Sequence, residues 1–431
     1  MTAVTATYRQ VVALGGPLLP VVSFLGRLPT AMCQLGSLLL VAETSGSLTT
    51  AGLVGGALAA GQTVAGPLIG RLADRHGQRP MVLAACWANA LAVTALVVAS
   101  LVHLATLPLA LTGLLAGASV PQIGPLARTR LVALARRGRG EPKLINAALS
   151  FEGTLDEVSF VLGPAVVGLA AAVAHPAVAL SLAAVLLAVC GTAFALHPTA
   201  SVPGARGTGP HGGATRAARP RRPARPRMPG AVHGMRASMA LQGAMFGACQ
   251  AGITALTERL HQPAQAGLVY AAMGVMSAVA GLSLALVPAR IGLPTRWRAA
   301  AVALIVLSVP LLFVRSLWAL YLVVVVLGVA FAPHLITLFG LTERVVPATR
   351  LAESMAFLTS AVVGGQALAL AASGRLADAH GPSAAFAVAV GAAVLILCVA
   401  VGARVTPRNA APTDGPTSAT SAAGVPAGSG R

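Results

Sequence analysis

Five side chains stand where hydrocarbon is expected. Arg27 lies inside the apolar run 17–40, and Glu152, Asp156 and Glu157 lie inside another, 147–173. His334 follows Pro333 within a third, 316–340. An ionisable group in such a run is costly unless paired, so each is a candidate site residue for substrate or proton binding. Arg27 is too far from either end of its run to snorkel, and it needs an acid. Glu152 and Asp156 are four residues apart on one helix face, which Ser159 and Gly163 continue. Glu157 is turned by about 100° from that face, toward a neighbouring helix. An Arg27–Asp156 pair would offset two desolvation penalties, and three clustered carboxyls give a proton a place to bind and leave. Structural roles compete with these. Glu152 could cap the start of its helix, and His334 could be a packing residue that titrates near neutrality. Glu353, opening the run 349–372, reads as a capping and interface acid paired with Arg350 or Arg344. Gln34, Gln62, Gln122, Gln250 and Gln366 could line a cavity or join helices by hydrogen bonds.

The elements that must hold these residues are membrane spans. Of 431 residues, 56% are hydrophobic and 10% charged, and mean hydropathy is +0.81. A soluble fold could not cover its surface with so few charges. Runs long enough to cross a bilayer fall at 17–40, 48–69, 81–101, 107–132, 147–173 and 177–196, then at 238–258, 265–288, 297–314, 316–340, 349–372 and 383–403. The spacing predicts an all-α integral membrane protein of twelve transmembrane helices. Residues 1–196 form one six-helix half and 238–405 the other. Between them, 197–237 is rich in Arg, Pro and Gly without periodicity, as expected of a flexible linker. The tail 406–431 has the composition of a disordered segment.

Charge then sets orientation. The chain carries 30 basic and 11 acidic residues, net +19. With the N-terminus inside, all basic residues but Arg27, Arg259, Arg315 and Arg375 fall on the cytoplasmic side, the run Arg128 to Lys143 and the linker included. The positive-inside rule therefore predicts both termini in the cytoplasm. Basic residues so placed are topological signals that also touch anionic lipid, which argues against a nucleic-acid partner. Cys33, Cys86, Cys190, Cys249 and Cys398 fall in apolar runs without ligand spacing, so neither disulfides nor a metal site is expected. The first sixteen residues lack an apolar core followed by a cleavage site, and no removable leader is expected.

An internal repeat is visible. Glu152 precedes Gly163-Pro164 by the interval that separates Glu353 from Gly364-Gly365, and Gly117 to Pro121 aligns with Val329 to Pro333. Two weakly similar six-helix halves suggest rocking about a central site between two access states. Between the second and third runs stands Gly70-Arg71-Leu72-Ala73-Asp74-Arg75-His76-Gly77-Gln78-Arg79-Pro80. Its glycines suit a tight turn, and its Asp and Arg suit helix caps and pairing across an interface. The segment resembles the G-x-L-a-D-r-x-G-r-k signature of the major facilitator superfamily, and the resemblance extends over roughly 10–405.

What that resemblance implies is a transporter of two pseudo-symmetric bundles, with Gly70, Arg71, Asp74, Arg75, Gly77 and Arg79 as a gating motif. Asp74 and its arginines would latch the cytoplasmic side in the outward-facing state. The matching loop of the second half, Arg290 to Arg298, has Leu293 at the Asp position, which implies a weaker latch there. Gly374-Arg375-Leu376-Ala377-Asp378 is a partial copy on the outer side, read as a turn. Gly163, Pro164 and Gly168 resemble the family's antiporter motif G-P-x-x-G-G, with Ser159 and Val167 departing from it. Gly113 likewise stands where the antiporter pattern of the fourth span has a basic residue. Within that family the chain resembles bacterial drug and metabolite efflux members of high-GC, actinobacterial type.

The expected function is secondary active transport of a small organic or amphipathic compound, as proton-coupled efflux across the plasma membrane by a monomer. Nutrient uptake on the same fold is the alternative. A membrane enzyme or a receptor is remote: there is no HExxH, no GxSxG, no nucleotide-binding loop and no sizeable soluble domain. No cofactor is expected.

Overall fold

A computed structural model describes residues 2–137, 142–201, 228–262, 265–288 and 290–403. The central part of the expected linker, 202–227, and the tail from 404 lie outside the described residues. The first half contains α1 (Thr2–Gly15), α2 (Leu18–Ser45), α3 (Leu48–His76), α4 (Gln78–Leu101), α5 (Thr106–Ala118), α6 (Ile123–Arg137), α7 (Pro142–Val173), α8 (Pro176–Leu186) and α9 (Thr192–Leu196). The second contains α10 (Gly230–Arg259), α11 (Gln265–Ser283), α12 (Leu293–Ser308), α13 (Leu317–Val345), α14 (Leu351–His380) and α15 (Pro382–Gly402). A π-helical turn, Leu187–Gly191, joins α8 to α9 within one span, and α5 and α6 likewise share one.

Among the described residues, 11 helical stretches are long and apolar enough to cross a membrane. α10 has 30 residues, ample for a crossing, but it falls outside that set, its apolar run interrupted by Gln242 and Gln250. It also starts at Gly230, inside the segment read from sequence as linker. The charge of Arg236 hides the helix start from a hydropathy scan, while its guanidinium sits 4.1 Å over the Phe357 ring.

Local chemistry sets the helix ends. α2 stops at Gly46, whose φ of 64° lets its N–H return to the Ala42 carbonyl. Ser47 then caps α3 by accepting the Thr50 N–H at 3.2 Å. The two aligned prolines behave differently. Pro121 sits in a break between α5 and α6, with Gln122 at φ 55°. Pro333 stays inside α13. A proline removes one backbone donor in either place, yet the run 107–132 is two half-helices while its counterpart is continuous.

The signature segment is helical through His76, and the turn falls on Gly77 alone, at φ 89°. Gly70 instead permits close packing, since a β-carbon there would meet the Ala352 carbonyl and Ala356 of α14. The partial copy from Gly374 to Asp378 is also helical, with its turn at Gly381.

Each half has its own apolar core, around Phe331, Phe339, Trp297 and Phe386 in the second and around Leu126, Phe194, Leu58 and Leu180 in the first. Glycines let the helices approach within bundles: Gly117 meets the Leu58 backbone, and Gly243 and Gly365 draw α10 onto α14. The halves meet through α3 against α14 and through α6 and α7 against α11 and α13.

Candidate functional site

The α2 arginine finds two acids. Arg27 is 5% exposed; its Nη2 donates to Glu152 Oε2 at 2.5 Å and its Nη1 to Asp156 Oδ1 at 2.7 Å. Its Nε donates to the Ser23 carbonyl at 3.1 Å, which fixes the guanidinium plane. Glu152, 1% exposed, stands three turns into α7, so it is not a helix-start cap. The expected pair is in place, with a second acid added.

A third helix completes the network. Arg128 of α6 donates through Nη2 to Asp156 Oδ2 at 2.6 Å. Both Asp156 oxygens are thus taken, one by each arginine. Gly124 leaves the room: a β-carbon there would sit 2.8 Å from Asp156 Oδ1. Arg128 was grouped by its sequence position with the cytoplasmic topology charges, yet it is fully buried, and Arg130 is 2% exposed. Arg130 bonds Gln78 Oε1 and the Phe194 carbonyl, both at 2.7 Å, tying α6 to α4 and α9. The missed signal was in the sequence: both arginines fall inside the run 107–132, where a charge demands a partner.

Arg27, Arg128, Glu152 and Asp156 sum to zero formal charge. That balance is what permits their burial, because removing one member leaves an uncompensated ion. Arg128 also reaches the other half, its guanidinium carbon 3.5 Å from the Phe339 ring centre of α13. The network therefore lies against the surface on which the two bundles meet.

Glu157, 7% exposed, faces away from the arginines. Its neighbours on α7, Gly153, Thr154 and Val161, lie against Ile336 of α13 and against Gly281 and Gly274 of α11. His334 is elsewhere. It is fully buried in the second half, where its Nδ1 lies 2.5 Å from Gln242 Oε1, and Gln242 Nε2 donates to the Phe331 carbonyl at 3.0 Å. Gln242 Oε1 is an acceptor in that chain, so His334 Nδ1 carries the hydrogen. The structure does not bring His334 to the arginine network. Gln366 donates to Gln250 at 3.4 Å, an interhelical bond.

At one end of the bundles Asp74 caps α14. It accepts the Ala352 N–H at 3.2 Å and the Glu353 N–H at 2.8 Å, closing the first turn of a helix in the other half. Its neighbours do less: Arg75 and Arg79 are exposed, and among the described residues Arg71, Arg75 and Arg79 form no ion pair. Glu353 pairs with Arg350 at 3.0 Å, as one of its two expected partners. Arg344 is exposed and outside that pair. Arg136 of α6 forms an ion pair with Glu343 of α13. Tyr8 of α1 donates to the Leu282 carbonyl at 2.7 Å, and burial pushes its phenol up to about 12, which keeps it a donor. Of the antiporter-like residues, Gly163 packs on Ala31 of α2, and Gly168 faces open space.

Two helical bundles, with a buried charge network beside their mutual surface and a cap reaching from one to the other, make a two-halved polytopic membrane protein. The sequence matches the Major Facilitator Superfamily profile over residues 21–348, and the chain belongs to that family. The human organic anion transporter MFSD10 (TETRAN) superposes with a TM-score of 0.64 at 18% identity, over 91% of this chain and 98% of that one. A bacterial homologue of the iron transporter ferroportin, in an outward-facing state, gives 0.69 at 17% over 89% and 98%. The E. coli fucose:proton symporter FucP gives 0.62 at 14% over 90% and 98%. At such identities the likeness is one of fold. No curated protein matches the sequence.

Proposed function

We propose that this chain is a secondary active transporter that carries a small organic or amphipathic compound out of the cell, driven by protons moving inward. The observation that carries this is the four-residue network of Arg27, Arg128, Glu152 and Asp156, buried in one half and touching the other through Phe339. A buried network of balanced charge beside the surface where the halves meet is sensitive to a proton gained or lost next to it, so protonation on α7 can bias which access state is populated. In this reading α10 is the seventh of twelve spans, both termini lie on one side of the plasma membrane, and the skew of the arginines argues for the cytoplasmic side. Asp74 then latches the cytoplasmic side. Substrate, protons and lipid suffice as partners for a monomer.

Uptake is the second reading. It is favoured by Ser159 and Val167, which interrupt the antiporter-like motif, and by Gly168, which packs on nothing.

The test is transport in proteoliposomes under imposed inward-acid or outward-acid gradients, with amphipathic dyes as cargo and a pH-sensitive probe for proton flux. Gradient-driven dye movement that is lost in Asp156→Asn is expected. Movement indifferent to both gradient and mutation would contradict the proposal.

A further inference from the structure

The acids of α7 divide between two surfaces, and the division separates their chemistry. Glu152 and Asp156 point into their own bundle, where Arg27 and Arg128 occupy three of their four oxygens. Glu157 lies on the face formed by Gly153, Thr154 and Val161, which rests on α11 and α13 of the other half. Opposite it, α11 presents Gly274, Ser277 and Gly281, a row of small residues that lets α7 approach closely. Ser277, between Gly274 and Gly281 on that row, is buried, and among the described residues its hydroxyl has no hydrogen-bond partner.

Among the described residues, no arginine, lysine or histidine forms an ion pair with Glu157. The charged groups on the helices packed around α7 are directed elsewhere. Arg27 of α2 and Arg128 of α6 bind Glu152 and Asp156, and Tyr8 of α1 binds Leu282. His334 of α13 binds Gln242, and α8 has no titratable residue. A carboxylate buried without a cation is penalised by far more than a paired one, and such a group becomes neutral instead.

Resting on the proton-coupled reading above, we propose that Glu157 is the proton carrier and that Asp156, held by two arginines, is a structural anchor. With the bundles closed along α7 and α11, Glu157 keeps its proton in the buried seam between them. When they part, water reaches the carboxyl, the O–H bond breaks, and the proton leaves to solvent while Glu157 is hydrated as the anion.

Infrared difference spectra of the purified full chain in lipid test this directly. Subtracting Glu157→Gln from wild type should reveal a lost carboxylic-acid carbonyl band near neutral pH, whereas subtracting Asp156→Asn should reveal only a lost carboxylate band. Glu157→Asp keeps an acid and should shift the band, which covers the case in which the glutamine variant fails to fold. A flat acid region for Glu157→Gln, or an acid band that vanishes with Asp156→Asn, would overturn the assignment. The spectra need no cargo. If the Glu157 band is found but wild type shows no gradient-driven dye movement, the protonated Glu157 stands while the coupled-transport reading, and the carrier role with it, fails.

Discussion

Replacing Asp74 tests whether the two halves are latched by one carboxylate. Its two oxygens accept the second and third N–H groups of α14, at 3.2 and 2.8 Å, from a helix in the opposite bundle. Loss of a side-chain cap costs about 1 kcal/mol, and loss of negative charge at a helix start about 0.5–1 kcal/mol. Because the contact spans both halves, this sum of roughly 1.5–2 kcal/mol falls on the closed arrangement only. At about 1.4 kcal/mol per factor of ten, Asp74→Ala should shift the closed-to-open ratio by roughly 10- to 30-fold. Asp74→Asn keeps an acceptor oxygen and loses only the charge contribution, a shift of about 2- to 5-fold. Spin labels at His76→Cys and Thr349→Cys, in a background without the five native cysteines, would read the two populations as distances. Both positions are exposed on opposite sides of the contact. Unchanged distance distributions in both variants would refute the latch.

Other substitutions follow from the packing and the charges. Arg27→Leu strands Glu152 in a buried site and should cost about 3–5 kcal/mol, read as a lower melting temperature. The double variant with Glu152→Gln, which leaves the Arg128–Asp156 pair intact, should recover most of that loss; no recovery would argue that the arginine packs rather than pairs. Gly117→Val places side-chain atoms into the Leu58 backbone, so overpacking should abolish a monodisperse peak on size exclusion; normal elution would contradict the crossing of α3 and α5. Arg136 is 44% exposed where it meets Glu343, so Arg136→Gln should change the closed-to-open ratio by less than about five-fold, and less again in high salt.

Hydropathy made the spans legible because each must satisfy its backbone internally over a fixed thickness. The Arg27–Asp156 pair was legible for a related reason, since a lone arginine at mid-span has no route to water. Arg128 was not, because a rule that assigns near-terminal arginines to the cytoplasm carries no information about burial, and only the packing of α6 on α7 reveals it. The break at Pro121 was equally hidden. Pro121 and Pro333 look alike in sequence, and tertiary context decides which helix continues. Gly70 was read as a turn residue, whereas its want of a side chain serves the crossing of α3 with α14. That role depends on a helix about 280 residues away in sequence, beyond the reach of local pattern.

The most direct measurement of alternating access compares both ends of the molecule at once. One label pair sits at His76→Cys and Thr349→Cys, and a second at Glu43→Cys and Glu258→Cys, exposed near the opposite ends of α2 and α10. As pH is varied across neutrality in lipid, with and without an amphipathic dye, the two distances should change reciprocally, one lengthening as the other shortens. Distances that stay fixed at both ends, or that lengthen together, would contradict a transporter that works by rocking its two halves.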